Sequence, residues 1–124
     1  ICFSDLSLIA TGCNNQSCQT SRPKKIASDR HSNKQIISRG GKDAKTIYKV
    51  IEEKNNISKV NVQIEGGRRH QIRVHLSSIH HPIVGDKLYG IDDKSSRMML
   101  QFYKVGFVHP RTFEYFKFEI EQEF

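Results

Sequence analysis

The sequence predicts an α+β fold, in which a mostly antiparallel mixed sheet carries one main helix. Residues 60–65 alternate strictly between apolar and polar side chains, which is the two-residue period of a strand with one buried face. Ile72, Leu76 and Ile79 follow the i, i+4, i+7 spacing of an apolar helix face. Residues 99–120 are rich in aromatic and β-branched side chains, which favours a final pair of strands. The order of strands, helix and strands is typical of an α+β domain.

The N-terminal and central segments differ in the clarity of their patterns. Residues 1–23 have no clean hydrophobic period and are predicted to be an irregular N-terminal segment. The folded domain is therefore predicted to span residues 24–124. Within it, residues 45–53 are predicted to form a strand that pairs antiparallel with residues 60–65 across a hairpin loop at Asn55–Asn56.

Shorter features complete the predicted secondary structure. Ile36–Ile37 indicates a short strand, and Pro82 is expected to end the helix. Residues 99–108 and 113–120 are predicted to form a hairpin around the turn His109–Thr112. The apolar and polar residues of the last strand alternate, which predicts one buried face and one wetter face.

The charge balance favours a polyanionic partner. The chain has 20 Lys and Arg residues against 13 Asp and Glu residues, a formal net charge of +7 and a pI of about 9.5. RNA, DNA and an anionic membrane surface all fit such a charge. A basic soluble domain without a polyanionic ligand is the alternative.

Cysteine usage and the start of the chain bear on location. Cys2, Cys13 and Cys18 are odd in number, lack CxxC spacing and have no His pair that would complete a zinc site. They are predicted to be reduced thiols, and the protein is predicted to be cytoplasmic. The opening segment contains Asp5 and no basic region before its apolar patches, so neither a signal peptide nor a membrane span is predicted. Because the chain begins with Ile1 and not Met, we expect an excerpt or a mature form of a longer protein.

The densest chemical signal lies between Gly66 and Gly90. A predicted strand ends in two glycines, and the helix that follows carries three arginines, two histidines and a glutamine in its first turns. The free N–H groups and positive dipole at a helix N-terminus favour phosphate, and clustered arginines add bidentate contacts. The alternative is a solvated basic helix face.

The literal string resembles a known signature. Residues 66–90 match the pattern GRxHQIRxH...HPIxGDxxYG of RluA-type RNA pseudouridine synthases. Residues 41–48 resemble the GKxAxTxY segment of that family, and residues 29–34 and 100–110 resemble stretches on either side. The resemblance covers about residues 27–124 and implies the C-terminal portion of a pseudouridine synthase-like catalytic domain.

The resemblance also implies a reaction and a set of site residues. Enzymes of this family isomerise uridine in RNA by breaking the C1′–N1 bond, turning the base and rejoining it through C5, without a metal or an organic cofactor. Structured RNA such as rRNA or tRNA is therefore the expected partner. The family arginine that pairs with the catalytic aspartate falls on Arg73 here. The same motif implies a motif glycine at Gly67 and RNA-binding residues at Arg68, Arg69, His70 and Gln71. The motif residues Gly67, Arg68, His70 and Gln71 would either shape the site or touch the RNA backbone.

The sequence departs from the family pattern in the other half of the site. It contains no HRLD motif, which supplies the catalytic aspartate, and its first tyrosine, Tyr48, does not match the base-stacking tyrosine that follows that aspartate. Arg69 and Gln101 stand where a small polar residue and a histidine are usual. We expect the aspartate to lie upstream of Ile1 or to be lost, so that this chain alone is incomplete as an enzyme. The alternative is a non-catalytic RNA-binding remnant of the family.

Other chemistries fit the sequence less well. His70 and His75 are five residues apart and do not share a helix face, and no HExxH motif is present, so no metal site is predicted. The serines at Ser77–Ser78 lack the glycine pattern of a nucleophile elbow. Gly85–Asp86 is interpreted as a turn. The sequence leaves the oligomeric state open.

Overall fold

A computed structural model of the chain describes residues 3–11, 19–20, 25–32, 34–65, 67–90 and 94–124. In order, its elements are β1 (Phe3–Thr11), β2 (Gln19–Thr20), β3 (Ile26–Ser28), β4 (Gln35–Ile37), β5 (Lys45–Lys54), β6 (Ile57–Glu65), α1 (Gln71–Ser78), β7 (Leu100–Val108) and β8 (Tyr115–Glu119). Within these ranges, six strands form a sheet in the order β2-β5-β6-β1-β7-β8, and β3 pairs with β4. The described pairings are antiparallel. The predicted α+β architecture with one main helix is confirmed.

The prediction of an irregular segment at residues 1–23 is wrong for β1 and β2. Strand β1 lies in the middle of the sheet, antiparallel to β6 on one side and to β7 on the other. Leu6, Leu8 and Ala10 are buried, and they do alternate, but the apolar Ile9 on the opposite face obscures the period. The neighbours that stabilise β1 are about fifty and a hundred residues away in the sequence, so the local pattern is weak evidence for them. The three cysteines lie outside the described residues: Cys2, Cys13 and Cys18.

The central hairpin follows the prediction closely. Strands β5 and β6 contain the predicted strands and extend them, with β6 beginning at Ile57. The turn residues Asn55 and Asn56 have φ values of 53° and 63°. A two-residue hairpin turn of type I′ requires this left-handed backbone at both positions, and asparagine tolerates it better than most residues. Helix α1, at eight residues, is shorter than the three turns predicted.

One apolar cluster joins α1 to the sheet. Ile72 and Leu76 of α1 pack in the same core as Leu8, Val60 and Val62, and these three sheet residues have no exposed surface. Full burial of each such side chain stabilises the fold by roughly 1.5–3 kcal/mol. The apolar face of α1 is thereby fixed against the sheet, which also fixes where its polar side chains lie.

The buried face predicted for the last strand is wrong. Strand β8 is an edge strand, and Phe118 and Ile120 are 55% and 60% exposed. The rings of Phe107, Phe116 and Phe118 stack on one another with centroids 5.9 to 6.3 Å apart. The reason for the exposure is position, because the core cluster under α1 includes no described residue of β8.

The loop after α1 is held between β1 and the start of β7. Gly85 has a φ of 85°, and a Cβ at this position would lie 2.0 Å from the carbonyl oxygen of Arg97, so a larger residue does not fit. The Val84 N–H donates to the Ile9 carbonyl, and the Met99 N–H donates to the Val84 carbonyl, each at 2.8 Å. These bonds fix the position of the residues that follow the glycine.

The β3–β4 hairpin is fixed beside α1 and this loop. A Cβ at Gly41 would lie 2.5 Å from backbone atoms of Ile26, and Ile26 and Lys42 exchange two backbone hydrogen bonds of 2.9 Å. At the other end, the Gln35 N–H donates to the Tyr89 hydroxyl oxygen at 2.8 Å. The hairpin, the helix and the loop therefore meet at one place.

Candidate active site

A bidentate ion pair joins the middle of α1 to the loop that follows it. Arg73 donates from Nε to Oδ2 of Asp86 at 3.0 Å and from Nη2 to Oδ1 at 2.9 Å. The Asp86 side chain has no exposed surface, and 20% of the Arg73 side chain is exposed. Paired hydrogen bonds between a guanidinium fork and a carboxylate fix both distance and orientation. Arg73 is therefore held in one geometry at the edge of the solvent.

The surroundings of Asp86 keep it ionised. Its Oδ1 also accepts the backbone N–H groups of Leu88 and Tyr89, each at 3.1 Å. Burial opposes ionisation, but the hydrogen bonds from Arg73 and from these amides outweigh it and hold the pKa of the Asp86 carboxyl below its ordinary value. The hydrogen bonds to Asp86 also raise the pKa of the Arg73 guanidinium. Both groups are charged at neutral pH.

Tyr89 contacts the guanidinium through its ring. The Arg73 Cζ lies 5.0 Å from the centroid of the Tyr89 ring, which is within the range of a cation–π contact. The Tyr89 hydroxyl oxygen accepts the Gln35 N–H and lies 2.8 Å from His70 Nδ1. The Tyr89 carbonyl accepts the Ser77 hydroxyl at 2.7 Å. The ring is thus fixed by the hairpin and by both ends of α1.

A basic turn leads into α1. Gly67 and His70 have φ values of 50° and 55°, so the chain enters the helix through left-handed backbone. Arg68 and Arg69 are exposed, and the Arg68 Nε donates to the Asp43 carbonyl at 3.0 Å. No acidic residue lies in the first turn of α1. Positive side chains therefore precede the positive end of the helix dipole, an arrangement that favours an anion.

His70 links this turn to the ion pair. Its ring meets the Tyr89 ring edge-on, with centroids 5.6 Å apart. Partial burial, and then the positive charges of Arg73 and Arg69, lower the pKa of His70 below its ordinary value. The imidazole is therefore neutral at neutral pH, and it is suited to hydrogen bonding with Tyr89.

Gln71 is a buried residue at the start of α1. The side chain is 3% exposed, and its Nε2 donates to the carbonyls of Lys45 and Glu65 at 2.7 and 3.1 Å. Its Oε1 accepts the Arg68 N–H at 2.9 Å. The RNA contact predicted for Gln71 is therefore not supported, because the amide joins the ends of β5 and β6 to the start of α1. A motif match identifies a site but does not separate residues that build it from residues that touch the ligand.

The structure brings some predicted residues together and adds two that were missed. Arg73 and His70 meet through Tyr89, and Arg68 and Arg69 lie in the turn before them. From the sequence, the glycine and aspartate at 85–86 were interpreted as a turn, and no role was predicted for Tyr89. Both lie in the matched string GDKLYG, which was the available signal for them.

Neither a metal cluster nor a membrane helix is found in the part of the chain that the structure describes. No three His, Cys, Asp or Glu side chains there are grouped so that they would bind a metal ion. His75 is buried, and its Nδ1 lies 2.7 Å from the Thr46 hydroxyl. No described helix combines the length and the apolar character that crossing a bilayer requires.

Comparisons with known proteins point to one family. A family model described as RNA pseudouridylate synthase matches residues 9–78. An uncharacterized RNA pseudouridine synthase of Aquifex aeolicus is 43% identical over 98 residues, which cover 69% of this chain and 31% of that protein. Ribosomal large subunit pseudouridine synthase D of Zymomonas mobilis is 38% identical over 97 residues, with the same coverage of 69% and 31%. The solved structure of human RNA Pseudouridylate Synthase Domain Containing 1 superposes with a TM-score of 0.84 at 26% identity, over 97% of this chain and 54% of that one.

The chain belongs to the RNA pseudouridine synthase family, a family of isomerases. The resemblance to RluA-type enzymes stated from the sequence is confirmed. Human RNA Pseudouridylate Synthase Domain Containing 4, at 19% identity and a TM-score of 0.73, shares the fold. The chain spans about a third of the length of the curated relatives and about half of the length of the first solved neighbour.

Proposed function

We propose that the protein to which this chain belongs isomerises uridine to pseudouridine in structured RNA such as rRNA or tRNA, in the cytoplasm and without a metal or an organic cofactor. The observation that carries the proposal is the geometry of Arg73. Its guanidinium is hydrogen-bonded to Asp86 through two nitrogens and its Cζ lies 5.0 Å from the centroid of the Tyr89 ring, while 20% of the Arg73 side chain is exposed. Asp86 occupies the Nε–Nη2 edge of the fork, and the end that carries Nη1 is the proposed contact for an anion.

Arg73 is the proposed partner of the catalytic aspartate, which a segment of the protein outside this chain would supply. A guanidinium beside a partly buried carboxylate favours the ionised form and fixes its direction. Asp86 does not take this catalytic role in the proposal, because its carboxylate is already satisfied by four hydrogen bonds and has no exposed surface.

The proposed reaction is an isomerisation with no net change in composition. The C1′–N1 bond of uridine breaks, the base turns, and C5 forms a bond to C1′. The hydrogen on C5 leaves to solvent, and N1 gains a proton. The uridine must leave its stack to reach such a site, at a cost of a few kcal/mol, so contacts to the flanking RNA must compensate for that cost.

Arg68 and Arg69 are the proposed RNA-backbone contacts, together with His70 at the edge of the site. The two arginines are exposed and precede the positive end of α1, and the chain as a whole carries a formal net charge of +7. Such contacts bind phosphate without regard to sequence and weaken as salt concentration rises. They position the RNA, while the uridine that reacts is selected by other surfaces.

The proposal is tested by tritium release from bulk cellular RNA labelled at C5 of uracil. The assay compares the full protein with this chain alone and with Arg73→Ala in the full protein. Arg97→Ala is the matched control, since the Arg97 side chain forms an exposed ion pair with Glu123. We expect release by the full protein and by the control, release slowed by about 100-fold or more in Arg73→Ala, and none by this chain alone.

A different pattern would change the conclusion. A full protein that binds RNA and releases no tritium would be a non-catalytic RNA-binding remnant of the family. Full activity of Arg73→Ala would remove Arg73 from the catalytic machinery and leave the family assignment in place.

A further inference from the structure

The loop residues Asp86 and Tyr89 contact Arg73 from two different sides. Asp86 occupies the edge of the guanidinium formed by Nε and Nη2, at 3.0 and 2.9 Å. The Arg73 Cζ also lies over the Tyr89 ring, 5.0 Å from its centroid. A planar guanidinium offers two edges for a bidentate contact, the Nε side and the end with its two terminal nitrogens. Because Asp86 occupies the Nε side, an incoming anion would contact the end of the guanidinium that carries the two terminal nitrogens.

The loop is itself rigidly held, which a positioning role requires. The two backbone amides at Leu88 and Tyr89 turn back onto the Asp86 carboxylate at 3.1 Å. The Gly90 N–H donates to the Asp86 carbonyl at 3.0 Å, and the Ser77 hydroxyl donates to the Tyr89 carbonyl at 2.7 Å. The loop therefore has its own hydrogen-bond framework and does not depend on Arg73 alone.

We infer that Asp86 and Tyr89 are positioning residues that hold Arg73 in an end-on orientation toward the reacting carboxylate. The part of this inference that concerns catalysis rests on the proposed function. Neither residue touches the substrate in this account, because the Asp86 side chain is fully buried and Tyr89 presents its ring to Arg73. Their effect on the reaction passes through the orientation of one guanidinium.

The Tyr89 hydroxyl extends this arrangement to the β3–β4 hairpin. It accepts the Gln35 N–H and also lies 2.8 Å from His70 Nδ1. The ring and the hydroxyl are thus separable: the ring covers Arg73, and the hydroxyl ties the ring to the hairpin and to the start of α1. Tyr89→Phe keeps the first contact and removes the second, whereas Tyr89→Leu removes both.

Kinetics of the full protein test the inference at saturating RNA. Asp86→Asn keeps the shape of the side chain and removes its charge, and Glu123→Gln does the same at the exposed ion pair with Arg97. A misplacement of about 1 Å at a reacting group costs on the order of 100-fold in rate, so we expect kcat to fall by about that factor in Asp86→Asn. RNA affinity should stay within about twofold, and Glu123→Gln should match the wild type. Tyr89→Leu should lower kcat more than Tyr89→Phe does.

A pH profile separates positioning from general stability. When Arg73 no longer faces the catalytic carboxylate, that carboxylate loses a positive neighbour and its pKa rises. The acid limb of kcat should therefore move to higher pH in Asp86→Asn. A merely structural role predicts a loss of folded protein and an unmoved acid limb, and that outcome would overturn the inference.

A spectroscopic measurement keeps the inference independent of activity. In the full protein labelled with ¹⁵N-arginine, the Nε–H resonance of Arg73 is assigned by its absence in Arg73→Lys. We expect slow solvent exchange of this proton in the wild type and in Glu123→Gln, and fast exchange in Asp86→Asn. Unchanged exchange in Asp86→Asn would show that Asp86 does not hold Arg73 in place.

The proposed function and the positioning role can fail separately. If the wild type makes no pseudouridine, the proposed function fails and the catalytic role of the two loop residues fails with it. The exchange rates would still decide whether the loop holds Arg73.

Discussion

The region around α1 and the β7–β8 edge differ in how completely their side chains are buried and hydrogen-bonded. Around α1, Leu76 is 1% exposed, Arg73 donates two hydrogen bonds to Asp86, and the Gln71 amide donates to the Lys45 carbonyl at 2.7 Å. On β8, Phe118 is 55% exposed and packs mainly on neighbouring rings. The comparison shows that the region with the family motif is also the region where the fold fixes its side chains.

The ion pairs Arg73–Asp86 and Arg97–Glu123 show the same contrast, and breaking the buried pair has the largest expected effect. Removing one partner of a buried pair leaves an uncompensated charge and costs about 3–5 kcal/mol. We expect Asp86→Ala to reduce the free energy of unfolding by the lower end of that range, since the Arg73 side chain is 20% exposed. Glu123→Ala breaks a pair with both side chains about half exposed and should cost less than about 1 kcal/mol. Urea denaturation checks both, and equal losses would contradict the contrast.

The next largest effect should be the loss of stability when a core side chain is truncated, which should be greater around α1 than at the β7–β8 edge. Leu76→Ala removes a side chain that is buried between α1 and the sheet, and such truncations cost about 2–5 kcal/mol. Phe118→Ala removes a half-exposed ring from the edge strand and should cost about 1 kcal/mol or less. Thermal unfolding of the two variants checks the prediction. A larger loss from Phe118→Ala would mean that the β8 edge is more important to stability than its exposure suggests.

The acid dependence of stability should report on Asp86. Folding lowers the pKa of the Asp86 carboxyl below its ordinary value of 3.8. The carboxylate therefore stabilises the folded state fully above that value, and the contribution is lost as pH falls through the folded pKa. Denaturation curves between about pH 6 and pH 2.5 should show a steeper loss for the wild type than for Asp86→Asn. Parallel curves would show that the pair contributes nothing to acid stability.

The smallest expected effect is on the salt dependence of RNA binding. Each phosphate contact adds roughly one to the slope of log affinity against log salt concentration. Arg69→Ala should flatten that slope by about one, because Arg69 is exposed beside the start of α1. Lys117→Ala on β8 removes the same charge from the other region and should leave the slope unchanged. Equal changes would indicate that RNA binding depends on total charge and not on this surface.

Local patterns predicted the parts of the fold whose determinants are close in sequence. The alternation of β6 and the Asn55–Asn56 turn belong to one hairpin, so the sequence contained the whole signal. Strand β1 was missed because both of its partners are distant and Ile9 interrupts its period. The face of β8 was predicted to be buried, but alternation shows only which face is apolar and not whether another element covers it.

The candidate site shows the same limit. The motif identified Arg73 and its basic neighbours, but Asp86 lies thirteen residues further along the chain, and its role depends on how the loop returns to α1. Gln71 was assigned to RNA because it belongs to the motif, and its burial follows from contacts with both β5 and β6. Pairings set by tertiary structure were beyond the local pattern in both cases.

The most direct test of the account is kcat and RNA affinity measured together for Arg73→Ala in the full protein. If Arg73 orients the catalytic carboxylate, kcat at saturating RNA should fall by about 10²- to 10³-fold, the usual cost of losing one preorganised electrostatic contact, with affinity nearly unchanged. An unchanged kcat with weakened RNA binding would contradict the account and would make Arg73 a phosphate-binding residue.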